Sequence, residues 1–145
     1  MNKKQLNLIS NSLVNAFTKR KIIKPIPISF CKNIKNANLL RRTCESKMKW
    51  PVIGFKAGGT SIQVLKKMKE KEPFYASIYN QNFLQNGKKI KINKYTLGIE
   101  LEVCYLIKKK FFSVKKKIPI KDLHKFISHI APCIEVVGFR QKKKK

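Results

Sequence analysis

Three glutamates with strand-like spacing are the side chains best placed to do chemistry in this sequence. Glu100 and Glu102 alternate with apolar residues in the run Ile-Glu-Leu-Glu-Val, and Glu135 lies within Cys-Ile-Glu-Val-Val-Gly. Residues i and i+2 of a strand point to one face about 6–7 Å apart, so two carboxylates can lean toward one ion. A third carboxylate from another strand completes an oxygen-ligand site suited to Mg²⁺ or Mn²⁺. The alternative is a solvated strand face on which these glutamates pair with lysines.

The cysteines and histidines show no spacing that is typical of a metal site. The cysteines are Cys31, Cys44, Cys104 and Cys133. No Cys-x-x-Cys pair occurs, so neither a zinc ribbon nor a thioredoxin-type motif is indicated. His124 and His129 are five positions apart and do not stack on one helix face. We therefore expect reduced, partly buried thiols and ordinary surface or packed histidines.

The net charge invites a nucleic-acid interpretation. The 145 residues include 34 Lys and Arg against 7 Asp and Glu, which gives a formal net charge of +27. Only four of the basic residues are arginines, whereas base and phosphate recognition favours the planar arginine fork. Lysine, isoleucine and asparagine share A/T-rich codons, so a nucleotide bias explains the charge without a binding function. We expect no specific nucleic-acid partner, with a small basic nucleic-acid-binding protein as the alternative class.

Length and composition fit a single domain. A chain of 145 residues that is 43% hydrophobic can bury a core of its own. No run approaches the roughly 20 apolar residues needed to cross a bilayer. Polar residues interrupt the N-terminal apolar positions, which makes a poor secretory signal. We expect a cytoplasmic protein with no membrane partner.

Periodicity predicts the elements that must position the three glutamates. Helices are predicted at residues 5–20, 35–47, 61–70 and 120–130, the third capped by Thr60 or Ser61 and the last ended by Pro132. Strands are predicted at 52–56, 73–79, 97–107 and 133–139, with a hairpin turn at Asn86-Gly87. The fold class is α+β, with N-terminal helices leading into a β core.

Three motifs stand in a fixed order along residues 51–140. They are Gly-Phe-Lys-Ala-Gly-Gly-Thr-Ser at 54–61, Glu-Leu-Glu at 100–102, and Pro-Cys-Ile-Glu-Val-Val-Gly-Phe-Arg at 132–140. This set resembles the fumarylacetoacetate hydrolase superfamily, in particular its 2-keto-4-pentenoate hydratase-like branch. The resemblance implies a mixed, curled β-sheet core of the fumarylacetoacetase C-terminal-domain type and a homo-oligomer. Residues 1–50 would then be an N-terminal helical region and linker, and residues 51–145 the first part of the catalytic domain, because members of this branch are longer.

The same resemblance implies the roles of individual residues. The metal, Mg²⁺ or Mn²⁺, would be held by Glu100, Glu102 and Glu135, and it would chelate the oxygens of a small 2-oxo acid. Lys56 would lie beside the substrate and hold its carboxylate or assist proton transfer. Thr60 and Ser61 would bind substrate oxygens or simply cap the following helix. The implied enzyme is a lyase that adds water to a 2-hydroxydienoate, a reaction type of aromatic catabolism.

One departure from the branch pattern bears on the reaction. Hydratases of this family commonly carry an acidic residue directly after the proline that follows the lysine motif. In this chain Pro73 is followed by Phe74. A C–C hydrolase or decarboxylase of the same superfamily is therefore the alternative within the family.

Overall fold

The computed structural model describes residues 2–31, 33–93 and 95–142, and it has the predicted α+β class. Its α-helices are α1 (Lys3–Thr18), α2 (Ile34–Lys47) and α3 (Ile62–Met68), and its strands are β1 (Val52–Gly58), β2 (Phe74–Tyr79), β3 (Thr96–Ile107) and β4 (Ile127–Gly138). Short 3₁₀ helices span Ile28–Cys31, Asn80–Asn82, Lys109–Ser113 and Ile120–Phe126. The strands form two antiparallel pairs, β1 with β2 and β3 with β4.

The chain divides into two compact units. One comprises Met1–Lys91 with Arg140–Lys145, and the other comprises Ile92–Phe139. The first unit contains the three α-helices and the β1–β2 pair, and the second contains the β3–β4 pair. The predicted division into residues 1–50 and 51–145 is a division by expected function, whereas the two compact units are defined by packing. The functional division stays a prediction.

Side-chain caps fix the starts of the two long helices. Asn2 Oδ1 accepts the backbone N–H of Gln5 at 2.9 Å, and Gln5 Oε1 accepts the N–H of Asn2 at 3.3 Å, which is a capping box. Asn33 Oδ1 accepts the N–H of Asn36 at 2.9 Å at the start of α2. Each cap pairs an N–H group that the first helical turn leaves without a partner. Both long helices that periodicity predicts are confirmed.

The core of the first unit is small. Among the described residues, the buried apolar side chains are Ala16, Leu40 and Tyr79. The rings of Phe17 and Trp50 pack edge-on against Tyr79, with centroids 5.8 and 6.3 Å away. This geometry directs ring edges toward ring faces, which the charge distribution of aromatic rings favours. The aromatic cluster joins α1 to the end of β2.

Polar contacts attach α2 to its neighbours. Glu45 accepts hydrogen bonds from Arg41 Nη1 at 2.7 and 2.8 Å and from Ser77 Oγ at 2.9 Å, and this connects α2 to β2. The Lys47 ammonium donates to Ser10 Oγ of α1 at 2.7 Å, and Ser10 is fully buried. These bonds offset part of the cost of burying the charged groups, although Arg41 Nε is buried without a hydrogen-bond partner among the described residues.

The second unit is built on the long β3–β4 ladder. The strand predicted at 97–107 is confirmed, since β3 spans Thr96–Ile107. The strand predicted at 133–139 is present but begins earlier, at Ile127. The apolar run of residues 133–139 is typical of a buried strand, yet none of the described residues of this unit is buried. The ladder is therefore a ribbon with both faces open.

The predicted helix over residues 120–130 is wrong in its second half. A 3₁₀ helix spans Ile120–Phe126, and β4 starts at the next residue. Ile127 and Ile130 complete the apolar helical pattern, but they pair across the ribbon with Ile107 and Tyr105. A short run of apolar residues fits both the 3.6-residue period of a helix and the 2-residue period of a strand. Here the pairing with β3 decides in favour of the strand.

Pro132 does not end a helix as expected, because it lies inside β4 opposite Val103. Proline has no N–H to donate to a ladder, so within sheets it is confined to edge strands. Both strands of a two-stranded ribbon are edges, which removes this restriction. Because proline lacks a backbone N–H, it also makes the exposed edge of β4 less able to pair with a strand of another chain.

The Asn86-Gly87 turn is confirmed, but the hairpin around it is wrong. Gly87 has φ +83°, which glycine adopts without the steric penalty of a side chain. The described residues of 83–93 form no strands on either side of this turn. Throughout the described ranges, the helices are too short or too polar to cross a membrane.

Candidate metal centre

The β3–β4 register brings the three predicted glutamates to one face of the ribbon. Glu100 is directly opposite Glu135, and Glu102 follows two positions along β3. Side chains alternate between the faces of a strand, and directly paired residues share a face. The alternation of the sequence alone predicts that Glu100 and Glu102 share a face of β3. The pairing with Glu135 becomes visible only once the register is known.

The carboxylates converge closely enough to share an ion. One oxygen each from Glu100, Glu102 and Glu135 lies within 4.8 Å of the other two. The centre of a triangle with 4.8 Å sides lies 4.8/√3, or about 2.8 Å, from each corner. Mg²⁺–oxygen bonds are about 2.0–2.1 Å long, so small side-chain rotations would close the remaining distance. The all-oxygen ligand set fits Mg²⁺ or Mn²⁺, and three protein ligands leave positions for water or substrate.

Electrostatics favours a cation at this point. Two unit charges 4.8 Å apart repel by about 0.9 kcal/mol even in bulk water, and like charges directly opposite on a ladder are destabilising. Glu100 and Glu102 are exposed, and Glu135 is half-buried. A chain with 34 basic and only 7 acidic residues places three of the acids here. A bound cation would lower their mutual repulsion.

The predicted substrate-binding residues lie in the first unit, at the end of β1 and the start of α3. Lys56 is half-buried within β1 and pairs in register with Ala76 of β2. Ser61 Oγ accepts the backbone N–H of Val64 at 3.2 Å, which makes Ser61 the cap of α3. Thr60 is exposed immediately before it. Of the two roles expected for Ser61, the capping role is present.

Phe74 has a packing role at this turn. A Cβ on Gly58 would lie 2.5 Å from the Phe74 ring, and a Cβ on Gly59 would lie 3.2 Å from it. Gly59 also has φ +67°, which disfavours any side chain. The two glycines of the Gly-Gly-Thr-Ser motif are therefore required by the turn and by the ring packed against it.

The same ribbon face also carries two thiols, although their separation in the sequence does not predict that they lie on one face. Cys133 is opposite Glu102, and Cys104 is two positions beyond Glu102 on β3, so both share the glutamate face. Partial burial, a hydrogen bond with Cys104 and the charge of Glu102 raise the pKa of the Cys133 thiol. As expected, Cys104 and Cys133 are free and partly buried.

The remaining cysteine and histidine expectations concern ordinary surface or packed residues. Cys44 is a free, half-buried thiol, as expected. Cys31 was expected to be alike, but its side chain lies outside the described residues. His124 and His129 are both exposed, in agreement with a surface role.

Two grooves lie away from the predicted site residues. One, of about 620 Å³, is lined by α1 and α2 residues such as Lys4 and Leu6. The other, of about 320 Å³, is apolar and lined by residues including Tyr105 and Phe126. Neither includes a glutamate of the carboxylate cluster. The three carboxylates therefore sit on an open face rather than within either groove.

Comparison of the chain with models of known protein families gave no match, and comparison with curated proteins gave none either. The chemistry of the ribbon face is therefore defined by its own geometry and charge. That face offers a three-oxygen ligand set with room for further ligands. Such a set suits a hard divalent ion that contacts both the protein and a small anionic molecule.

Proposed function

We propose that this protein is a divalent-metal-dependent, hydratase-like enzyme of the fumarylacetoacetate hydrolase superfamily that acts on a small 2-oxo acid. The observation that carries the proposal is the convergence of Glu100, Glu102 and Glu135 within 4.8 Å on one ribbon face. The motif order along residues 51–140 supplies the reaction class. The proposed catalytic fold is the curled β core of that superfamily, acting as a homo-oligomer.

The proposed roles of the residues are those that the resemblance implies. Glu100, Glu102 and Glu135 would hold Mg²⁺ or Mn²⁺. When bound, the ion supplies Lewis-acid stabilisation of negative charge on a 2-oxo or enol oxygen. Lys56 would bind the substrate carboxylate or move a proton during water addition to a 2-hydroxydienoate. The hydroxyl of Thr60 would donate a hydrogen bond to a substrate oxygen, while Ser61 holds the start of α3.

Thermal unfolding with and without metal tests the metal centre. A ligand that binds only the folded state at 100 times its Kd adds about 2.7 kcal/mol of stability, which raises the Tm by about 5–10 °C for a chain of this size. We expect Mn²⁺ to produce such a rise in the unmodified protein. Glu102→Gln and Glu135→Gln should each remove the rise, because the amide keeps the shape and loses the charge.

Glu70→Gln is the matched control, since it removes one charge from a glutamate outside the ribbon. It should leave the Mn²⁺ response intact. An unmodified protein whose Tm does not change with Mn²⁺ or Mg²⁺ would refute the metal centre. An equal response in Glu102→Gln and Glu135→Gln would refute the ligand assignment.

A second reaction of the same superfamily is favoured by Phe74. Its ring packs against Gly58 and Gly59 where a hydratase would place an acid, and an apolar ring cannot transfer a proton to or from water. The alternative is C–C hydrolysis or decarboxylation of a related oxo acid. The assay that separates the two follows the products: a hydratase yields a 4-hydroxy-2-oxo acid, whereas C–C cleavage yields two smaller molecules.

A further inference from the structure

The ribbon face opposite the glutamates is made of apolar side chains from both strands. Its cross-strand pairs include Ile99–Val136, Leu101–Ile134 and Tyr105–Ile130. The Val103–Pro132 pair lies between the last two of these. Directly paired residues share a face, and alternation along each strand places all four pairs on the side away from the three carboxylates. We call this surface the apolar ribbon face.

The apolar ribbon face is open to solvent along its length. Pro132 is exposed, and the exposed fractions of the other side chains run from 37% at Val136 to 83% at Leu101. With about 150–250 Å² for a fully exposed large apolar residue, these fractions amount to on the order of 800 Å². The largest apolar patch on a typical monomer is about 300–600 Å². A larger patch without any charged side chain marks a surface that binds a partner.

The ribbon itself needs a second layer to be stable. A two-stranded pair is at best marginally stable in water, and a sheet gains stability when its apolar side packs on another element. None of the described residues of this unit is buried, so the ribbon has no interior of its own. Two sheets that pack face to face lie about 10 Å apart and bury their apolar sides between them. A second sheet with an apolar side is therefore the element that fits this face.

We propose that two copies of this chain pack through their apolar ribbon faces and form a symmetric dimer with a four-stranded β-sandwich at its centre. The available surface of about 800 Å² per copy is what each partner buries in a standard stable interface. The face offers no charge with which to select a partner of opposite sign, whereas a twofold axis places the same apolar patch on both sides. The carboxylates of both copies stay on the outer faces of the sandwich. The inference rests on the homo-oligomer of the proposed function and gives it an interface and an order of two.

Sedimentation equilibrium of the full chain, with EDTA present, measures the dimer. We expect a mass of twice the 16.9 kDa of one chain. Dimerisation should tighten as salt rises, because two copies of net charge +27 repel each other and salt screens that repulsion. Leu101→Lys and Ile130→Lys should each weaken it by about tenfold or more, since each would bury a charge in the interface. Leu8→Lys, at a 71% exposed position of α1, is the matched control and should dimerise like the unmodified protein.

Both interface positions are exposed in the single chain, so neither substitution removes a buried contact, and circular dichroism checks that each variant is folded. A mass of one chain at every concentration and salt would overturn the proposal, as would unchanged dimerisation of both variants. A mass that keeps rising with concentration would also overturn it, because a twofold contact closes at two copies whereas pairing along open strand edges continues. Dimerisation without a Tm response to Mn²⁺ would refute the metal centre alone. A monomer whose Tm rises with Mn²⁺ would refute this interface alone.

Discussion

At the residue scale, Cys44 shows how a partly buried thiol at a helix interface couples stability to pH. Its Sγ donates to the Ser10 carbonyl oxygen at 4.0 Å across the α1–α2 interface. Desolvation raises the pKa of Cys44 to about 11, Lys47 lowers it, and Glu45 raises it. The thiol therefore stays protonated in the folded protein over a range where it would ionise in the unfolded chain.

The direction in which stability changes with pH follows from the difference in the Cys44 pKa between the folded and unfolded states. A group whose pKa is higher in the folded state stabilises the fold fully below its unfolded pKa, near 9.0, and loses that contribution as the pH rises toward about 11. We expect the stability difference between the unmodified protein and Cys44→Ala to shrink by on the order of 1 kcal/mol across this range. Urea unfolding at intervals of pH measures it. A difference that stays constant between pH 9 and 11 would contradict the assignment.

The candidate site is partly predictable residue by residue. Glu100 and Glu102 share a face because of strand alternation alone, and Glu135 stands out as a charge in apolar surroundings. Sequence does not say which residue of β3 lies opposite Glu135, because register depends on pairing between residues 35 positions apart in the chain. The placement of Cys104 and Cys133 on one face of the ribbon is hidden in the sequence for the same reason, since a spacing of 29 positions resembles no metal-ligand motif.

At the scale of elements, the turn between β1 and α3 depends on Gly59. Its φ of +67° lies in the left-handed region, and the ring of Phe74 stands 3.2 Å from where a Cβ would be. We expect Gly59→Ala to lower the free energy of unfolding by about 1–2 kcal/mol. Chemical denaturation followed by circular dichroism measures the change.

Gly54→Ala, within β1, is the matched control. A Cβ on Gly54 would meet only Ile78 Cδ1, at an ordinary 4.0 Å, and the backbone there is not left-handed. This variant should be neutral or slightly stabilising, because alanine restricts the unfolded chain more than glycine does. Equal destabilisation by the two variants would show that neither the left-handed conformation nor the Phe74 ring sets the cost.

Elements with a local signal were predicted, and elements decided by distant contacts were not. The α1 and α2 helices combine helical periodicity with asparagine caps, and β3 alternates apolar residues with glycine and glutamate from Leu97 to Val103. The segment Ile127–Ile130 carries a pattern that suits a helix as well as a strand, and its pairing with β3 decides the outcome. The hairpin predicted around Asn86-Gly87 is absent from the described residues, and Ile90 and Ile92, which alternate with lysines there, stay exposed.

At the scale of the whole molecule, the charge of +27 is carried mainly by lysines, and two of the four arginines are engaged internally. Arg41 bonds Glu45 and lies 4.3 Å from the centroid of Tyr75. Arg140 lies 5.6 Å from the centroid of Phe17. Base recognition depends strongly on arginine forks. These two contacts therefore leave fewer arginine side chains available to bind base edges. Its lysines supply only attraction to phosphate.

Nucleic-acid binding should accordingly be electrostatic and non-specific. We expect the chain to bind duplex DNA at low salt and to lose about 10³-fold or more in affinity between 50 and 200 mM salt. Fluorescence anisotropy with several unrelated duplex and single-stranded probes measures both the salt slope and any preference. A Glu102→Gln variant should bind like the unmodified protein, because one added unit of net charge is small beside +27. Tight binding that survives 200 mM salt and prefers one sequence or structure would instead favour a dedicated nucleic-acid-binding protein. In that case the lysines, rather than the three glutamates, would be the functional surface.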